Sequence, residues 1–159
     1  MNPDERILPD TVDILLVDDD PLDVELALRS FARAAPRRQI GVAYDGEEAL
    51  DYLLGRGRYR HRFGAPAPRL TLLDLKLPKV DGLEVLRALR ANPRTNAAPV
   101  VVFTSAADPR DVAQSYHFGA NSCVQKPVAL DAFDRTIQSL ARYWLELNES
   151  PPAPTRTAG

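Results

Sequence analysis

Five short apolar runs punctuate the chain, at residues 13–17, 39–44, 70–73, 99–103 and 122–125. Those around Leu15, Leu72 and Val101 are nearly continuous rather than alternating, the signature of strands covered on both faces in a parallel sheet. Between the runs the apolar spacing becomes helical. Asp20-Pro21 joins a capping residue to the proline favoured in a first helical turn, and Val24, Ala27, Leu28 and Phe31 follow on one stripe to about Ala34. A second helix follows the turn signal Asp45-Gly46 and stops at Gly55 and Gly57; a third runs from Gly82 to Ala91, before Asn92-Pro93. The fourth repeats the start signal as Asp108-Pro109 and ends at Gly119, and the fifth sets Leu130, Phe133, Ile137, Leu140 and Trp144 at steps of three and four. Strand then helix, five times over, predicts an α/β fold: a doubly wound, five-stranded parallel sheet with helices on both faces.

Length and composition narrow the reading. A chain of 159 residues, 45% hydrophobic and 26% charged, suits one ordinary core. Residues 1–12 read as an N-terminal extension, 13–147 as the folded domain with a lengthened last helix, and 148–159, with too little apolar surface to offset its ordering entropy, as a disordered tail. The segment 56–68, rich in Arg, Gly and Pro, is long for a helix-to-strand connection and reads as an exposed loop. A net charge of −2 gives no global attraction for nucleic acid or anionic lipid. No apolar run approaches the roughly 20 residues of a membrane span. Cys123, the single cysteine, excludes an internal disulfide and a cysteine-rich metal site. A reduced, cytoplasmic protein is expected, with neither nucleic acid nor membrane as partner.

The chemistry concentrates where the predicted strands end. In open α/β sheets the carboxyl ends of the strands and the loops after them form the binding crevice. The first run ends in Asp18-Asp19-Asp20, the third in Asp74, the fourth in Thr104-Ser105 and the fifth in Lys126-Pro127. Asp20 alone reads as a helix cap. Asp18, Asp19 and Asp74, if they converge, repel one another by roughly 4 kcal/mol per pair at about 4 Å and an effective dielectric of ~20, so the cluster demands a cation. An all-oxygen anionic pocket without His or Cys suits a hard divalent ion, and Mg²⁺ commonly takes one or two carboxylates together with waters and phosphate oxygens. Lys126 can neutralise a carboxylate in one state and grip a phosphoryl oxygen in another.

These residues resemble the response-regulator receiver domains of two-component signalling. The resemblance covers Ile14 to about Leu147 and rests on Asp18-Asp19, the segment Leu73-Asp74-Leu75-Lys76-Leu77-Pro78-Lys79-Val80-Asp81-Gly82, Thr104 and Lys126-Pro127, in the family's order and spacing. It implies the flavodoxin-like (βα)5 fold, Asp74 as phosphoacceptor, and Mg²⁺ held by Asp18, Asp19, Asp74 and the backbone carbonyl of Lys76. It further implies Thr104 as the switch hydroxyl, Lys126 as the phosphate-contacting lysine and a cis Lys126-Pro127 peptide. The chain departs from the family at Cys123, where many receivers carry an aromatic lever, and at Lys76, an uncommon residue two places after the phosphoacceptor. A lone thiol in a buried strand without a cationic neighbour reads as inert rather than redox-sensing.

The long second loop, Gly119-Ala120-Asn121 and the ending Arg142-Tyr143-Trp144-Leu145-Glu146-Leu147 look like the single-domain regulators of bacterial phytochrome histidine kinases. The implied function is that of a stand-alone, non-enzymatic response regulator, phosphorylated on Asp74 by a sensor histidine kinase and signalling through protein contacts. A phosphorylation-independent dimeric docking adaptor is the alternative. A Mg²⁺-dependent phosphatase built on Asp18 and Asp20 is disfavoured, because no hydroxyl residue follows at the expected place and no cap domain shelters a substrate. Tyr143, Leu145 and Leu147 point partly off the helix stripe, so a homodimer through the C-terminal helix extension is expected. The basic stretch Arg56, Arg58, Arg60, His61 and Arg62 reads as a solvated loop, or else as a docking patch for an acidic kinase surface.

Overall fold

All five apolar runs become strands of one parallel sheet: β1 (Ile14–Val17), β2 (Ile40–Ala43), β3 (Leu70–Leu73), β4 (Val100–Thr104) and β5 (Ser122–Gln125), in the spatial order β2-β1-β3-β4-β5. A computed structural model describes residues 6–153. The central strands β1, β3 and β4 are buried at every position, which is why their sequences show no alternation. Chain order reverses between β1 and β3, and at such a switch point the flanking loops part to leave a crevice above the strand ends.

Helix α1 (Pro21–Ala34) and helix α5 (Leu130–Arg142) pack on one face, where Val24, Ala27, Phe31, Phe133 and Ile137 meet Ile14, Leu16 and Leu72. The other face is covered by α2 (Gly46–Leu54) and α3 (Gly82–Ala91), whose Leu50, Val85, Leu86 and Leu89 meet Leu15, Val17 and Leu73. Helix α4 (Pro109–His117) lies beside β5 and buries only Ser115. The three start signals act as read, Asp20, Asp45 and Asp108 each accepting backbone N–H bonds from the first turn of the helix that follows, and Asp81 does the same for α3. Gly55 ends α2 in the left-handed conformation, φ 67°, and Gly119 follows α4 with φ 100°.

Four local expectations are corrected. The 56–68 segment is not simply an exposed loop: it contains a 3₁₀ helix, Gly57–Arg62, with Tyr59 and Arg62 buried. Residues 8–10 explain why. The Tyr59 hydroxyl accepts from Leu8 N at 3.1 Å, the Tyr52 hydroxyl donates to Pro9 O at 2.9 Å, and Arg62 Nε donates to Asp10 O at 2.7 Å, while its guanidinium lies 3.6 Å from the Tyr52 ring centroid. Most of the basic stretch is engaged within the chain, with Arg56 on Asp51, Arg58 on Glu48 and His61 on Asp10, while Arg60 is exposed. Second, Leu130 is 66% exposed, since it opens α5 next to the fully exposed Val128, before the helix has reached the sheet.

Third, Leu145 is buried rather than turned outward. The chain leaves α5 through a wider π-type turn, Tyr143–Leu147, and the extra residue per turn puts the adjacent Trp144 and Leu145 both inward. Arg69 and Arg38 fix it there by donating to Leu145 O at 2.9 and 3.5 Å. Tyr143 and Leu147 stay exposed. Fourth, Cys123 is half-buried, because β5 is an edge strand. Of the expected tail, 148–153 is described and Asn148 N still bonds Tyr143 O at 2.7 Å, while 154–159 lies outside the described residues, as does 1–5 of the N-terminal extension.

Candidate functional site

The parallel register brings the sharp residues to one rim. Val17 pairs with Leu73 and Thr104 with Gln125, so Asp18, Asp74 and Lys126 all emerge at the carboxyl edge of the sheet. Backbone bonds fix their level: Asp18 N donates to Ala43 O at 3.1 Å, Asp74 N to Val17 O at 2.9 Å and Lys126 N to Thr104 O at 2.9 Å. The loop after β3 then folds back tightly. Gly82 N donates to Leu75 O at 2.8 Å, and a Cβ at Gly82 would stand 2.2 Å from Asp74 O, so only glycine lets α3 begin there.

Carboxylate oxygens of Asp18, Asp19 and Asp74 lie within 4.8 Å of one another, with Asp18 and Asp74 buried and Asp19 exposed. Lys126 Nζ enters from the carboxyl end of β5 and donates to Asp18 Oδ2 at 2.7 Å and to Asp74 Oδ2 at 2.8 Å. Its third hydrogen goes to Asp23 Oδ2, also at 2.8 Å. The ammonium is thus fully satisfied, as a group whose side chain is only 4% exposed must be.

The electrostatics follow from burial and charge count. Burial pushes the Asp18 carboxyl above the ordinary carboxylate value, and the Asp74 charge adds to this, while Lys126 and the Asp20 N–H bond oppose it. For Lys126, burial works against the charged form, but the hydrogen bonds it donates to Asp18, Asp23 and Asp74 outweigh it and hold the ammonium's pKa above the ordinary lysine value. With Asp19 included, four acids face one lysine. An all-oxygen set of three convergent acids, with Asp19 open to solvent, has the donor chemistry and charge deficit that a hard divalent cation answers.

Among the residues singled out by sequence, Asp18, Asp19, Asp74 and Lys126 come together. Thr104 ends β4 fully buried, and its hydroxyl accepts from Ala106 N at 3.4 Å. Lys76 is exposed, with its N–H reaching Asp74 Oδ1 at 3.4 Å. The Lys126-Pro127 peptide is trans, contrary to the cis form the resemblance implied; trans is the lower-energy state of an X-Pro bond, and in it Lys126 already reaches all three carboxylates. Burial pushes the Cys123 thiol above its ordinary pKa. The residue missed by sequence reading is Asp23. It lies in the first turn of α1, where the helix dipole favours any acid, and its partner stands 103 residues away.

The family described as "Response regulator receiver domain" matches residues 14–138. The probable methanogenesis regulatory protein FilR2 of Methanothrix harundinacea is 40% identical over 138 residues, 87% of this chain and 86% of that protein. Response regulator Rcp1 of Synechocystis is 34% identical over 140 residues, 88% of this chain and 93% of its own. The crystal structure of the Mn²⁺-bound form of Rcp1 superposes with a TM-score of 0.81 at 33% identity, covering 89% of this chain and 100% of that one. The bacteriophytochrome response regulator AtBRR is 44% identical with a TM-score of 0.67 over 89% of this chain and 100% of its own.

Proposed function

Because the chain belongs to the response regulator receiver domain family, we propose that it takes a phosphoryl group onto Asp74 from a sensor histidine kinase of the bacteriophytochrome type, and signals through protein contacts that depend on that group. Receiver domains are signalling domains that receive phosphoryl groups from such kinases. The observation that carries the reading to this chain is the meeting of Asp18, Asp19 and Asp74 with Lys126 at one strand-end rim.

Asp74 is the nucleophile of the proposed step. One of its carboxylate oxygens forms a bond to phosphorus as the phosphorus–nitrogen bond of a kinase phosphohistidine breaks, and the imidazole leaves with the electron pair. Catalysis of this kind is positioning and charge neutralisation. Asp18, Asp19, Asp74 and the Lys76 carbonyl would hold a divalent cation, proposed to be Mg²⁺, which supplies neutralisation of the transferring oxygens. The ammonium of Lys126 loses one of its three carboxylate partners when Asp74 is phosphorylated and turns to a phosphoryl oxygen. Thr104 would bond another, drawing the loop after β4 and the lightly anchored α4 with it. Cys123 has too little bulk to act as an aromatic lever, so that motion is transmitted through backbone and α4.

The output surface is proposed to be a homodimer face on the C-terminal extension, where Tyr143 and Leu147 remain exposed beside a groove of about 980 Å³ floored by Trp144. Among the described residues no helix is long and apolar enough to cross a membrane, and a cytoplasmic location is proposed. Intact-mass measurement after incubation with acetyl phosphate and Mg²⁺ tests the central step. One phosphoryl group is expected on the native protein and none on Asp74→Asn; uptake by both, or by neither even with candidate kinases, overturns it.

A further inference from the structure

Lys126 is held by three carboxylates, and two of them have other duties. Asp18 and Asp74 belong to the oxygen cluster suited to a cation, and Asp18 Oδ1 also accepts Asp20 N at 2.9 Å. Asp23 stands outside that cluster. It approaches from the outer side, its side chain 26% exposed against 4% for the lysine, and reaches Nζ at 2.8 Å.

Its own placement is set by the helix start. Asp20 Oδ1 accepts from Asp23 N at 3.2 Å and from Leu22 N at 2.9 Å, which fixes the first turn of α1 beneath the Asp23 side chain. A chain of contacts therefore runs from the cap Asp20, through Asp23, to the ammonium of Lys126.

We infer that Asp23 is a positioning residue: it anchors the Lys126 ammonium while Asp18 is shared with a cation and Asp74 is phosphorylated, so that the lysine keeps its reach toward the phosphoryl oxygens. This rests on the proposed phosphoryl transfer to Asp74. The charge count gives the reason. Phosphorylation shifts the negative charge from the Asp74 carboxylate to the phosphoryl oxygens that the lysine must reach, and a bound cation draws on that of Asp18, leaving Asp23 the one full carboxylate in contact with the lysine. Without it the ammonium has no full carboxylate to hold it in place and a hydrogen left facing solvent.

The chain has three lysines, and Lys76 and Lys79 are exposed, so a nitrogen-edited NMR spectrum of the ¹⁵N-labelled full chain should show one slowly exchanging lysine ammonium, that of Lys126. In the native protein this signal is expected to survive saturation with Mg²⁺. In Asp23→Ala it should survive without metal and broaden away when Mg²⁺ is added. The rate of Asp74 phosphorylation at saturating acetyl phosphate should fall roughly tenfold, the weight of one charge-assisted hydrogen bond. Asp23→Asn, which keeps an acceptor oxygen of the same shape, should recover part of that rate and also serves should the alanine variant fail to fold.

Persistence of the signal in both variants with Mg²⁺, or saturated rates equal to the native one, overturns the role of Asp23. Should the native protein itself accept no phosphoryl group, the proposed function fails instead, and the ammonium signal still decides whether Asp23 anchors the lysine.

Discussion

At the scale of single residues, Lys126 decides how the rim is held together in the absence of a cation. Its removal leaves Asp18, Asp23 and Asp74 facing one another at a largely buried point. Lys126→Met is expected to lower unfolding stability by about 3 kcal/mol at neutral pH, the usual consequence of stranding buried charge. Added Mg²⁺ should restore more stability to the variant than to the native chain, read as the shift in urea midpoint. The sign of the pH dependence follows from the raised lysine pKa. The contribution of the ammonium is complete below its unfolded value of 10.5 and fades as pH rises past it. The gap between the two proteins should therefore be widest near neutrality, narrowing at strongly alkaline pH and again in acid as the carboxylates take up protons. Equal midpoints across the whole range would mean that the lysine is not the internal counter-ion described. Asp18, Asp74 and Lys126 were legible in the sequence because each directly follows an apolar run. Asp23 was not, because nothing local distinguishes an acid facing a distant lysine from one that merely complements a helix dipole.

At the scale of elements, the tight return from β3 to α3 ties fold to chemistry. Gly82→Ala would force its methyl group to 2.2 Å from Asp74 O and 2.7 Å from Leu75 Cα, both backbone atoms that cannot yield cheaply. A loss of about 2 kcal/mol is expected, of the order of other overpacking changes, together with slower acquisition of the phosphoryl group. Normal phosphorylation in a merely less stable variant would separate the loop's structural role from its part in placing Asp74. The segment before β1 is a second such element. Leu8 is 4% exposed and sits against Gly41, where a side chain would meet Leu8 at 3.0 Å and Val12 at 2.9 Å. Leu8→Ala should cost roughly 2 to 3 kcal/mol by thermal or urea unfolding, as truncation of a core leucine does; a change within a few tenths would show that residues 6–12 are a dispensable extension. This packing was illegible because the pair Ile7-Leu8 is too short an apolar run to show a period. What it packs on, Tyr52, Tyr59 and Arg62, lies more than 40 positions away.

At the scale of the whole molecule, the two ends of the sheet differ in kind. The carboxyl rim carries the acids and Lys126, whereas the far end is closed by the C-terminal turn, with Trp144 and Leu145 inside and Arg38 and Arg69 on the Leu145 carbonyl. Cutting the chain before Tyr143 would therefore open the core, so the dimer proposal is better tested by surface changes. Tyr143→Arg combined with Leu147→Arg should convert a sedimenting dimer to monomer with an unchanged unfolding midpoint, since both side chains are exposed. A dimer that survives both changes would place the contact elsewhere.

The hydrophobic pattern by itself determined the five strands, the five helices and their alternation, because strand burial on both faces and the capping aspartates are local signals that need no partner. It also determined which end of the sheet carries the acids, since a parallel sheet has a single carboxyl edge. Only tertiary structure decided which side chains meet there, that Asp23 joins Lys126, that Arg62 is buried against Tyr52, and that Leu145 turns inward while Leu130 does not. Those outcomes depend on contacts between residues tens to a hundred positions apart, and on a local change in helical pitch that a fixed period cannot register.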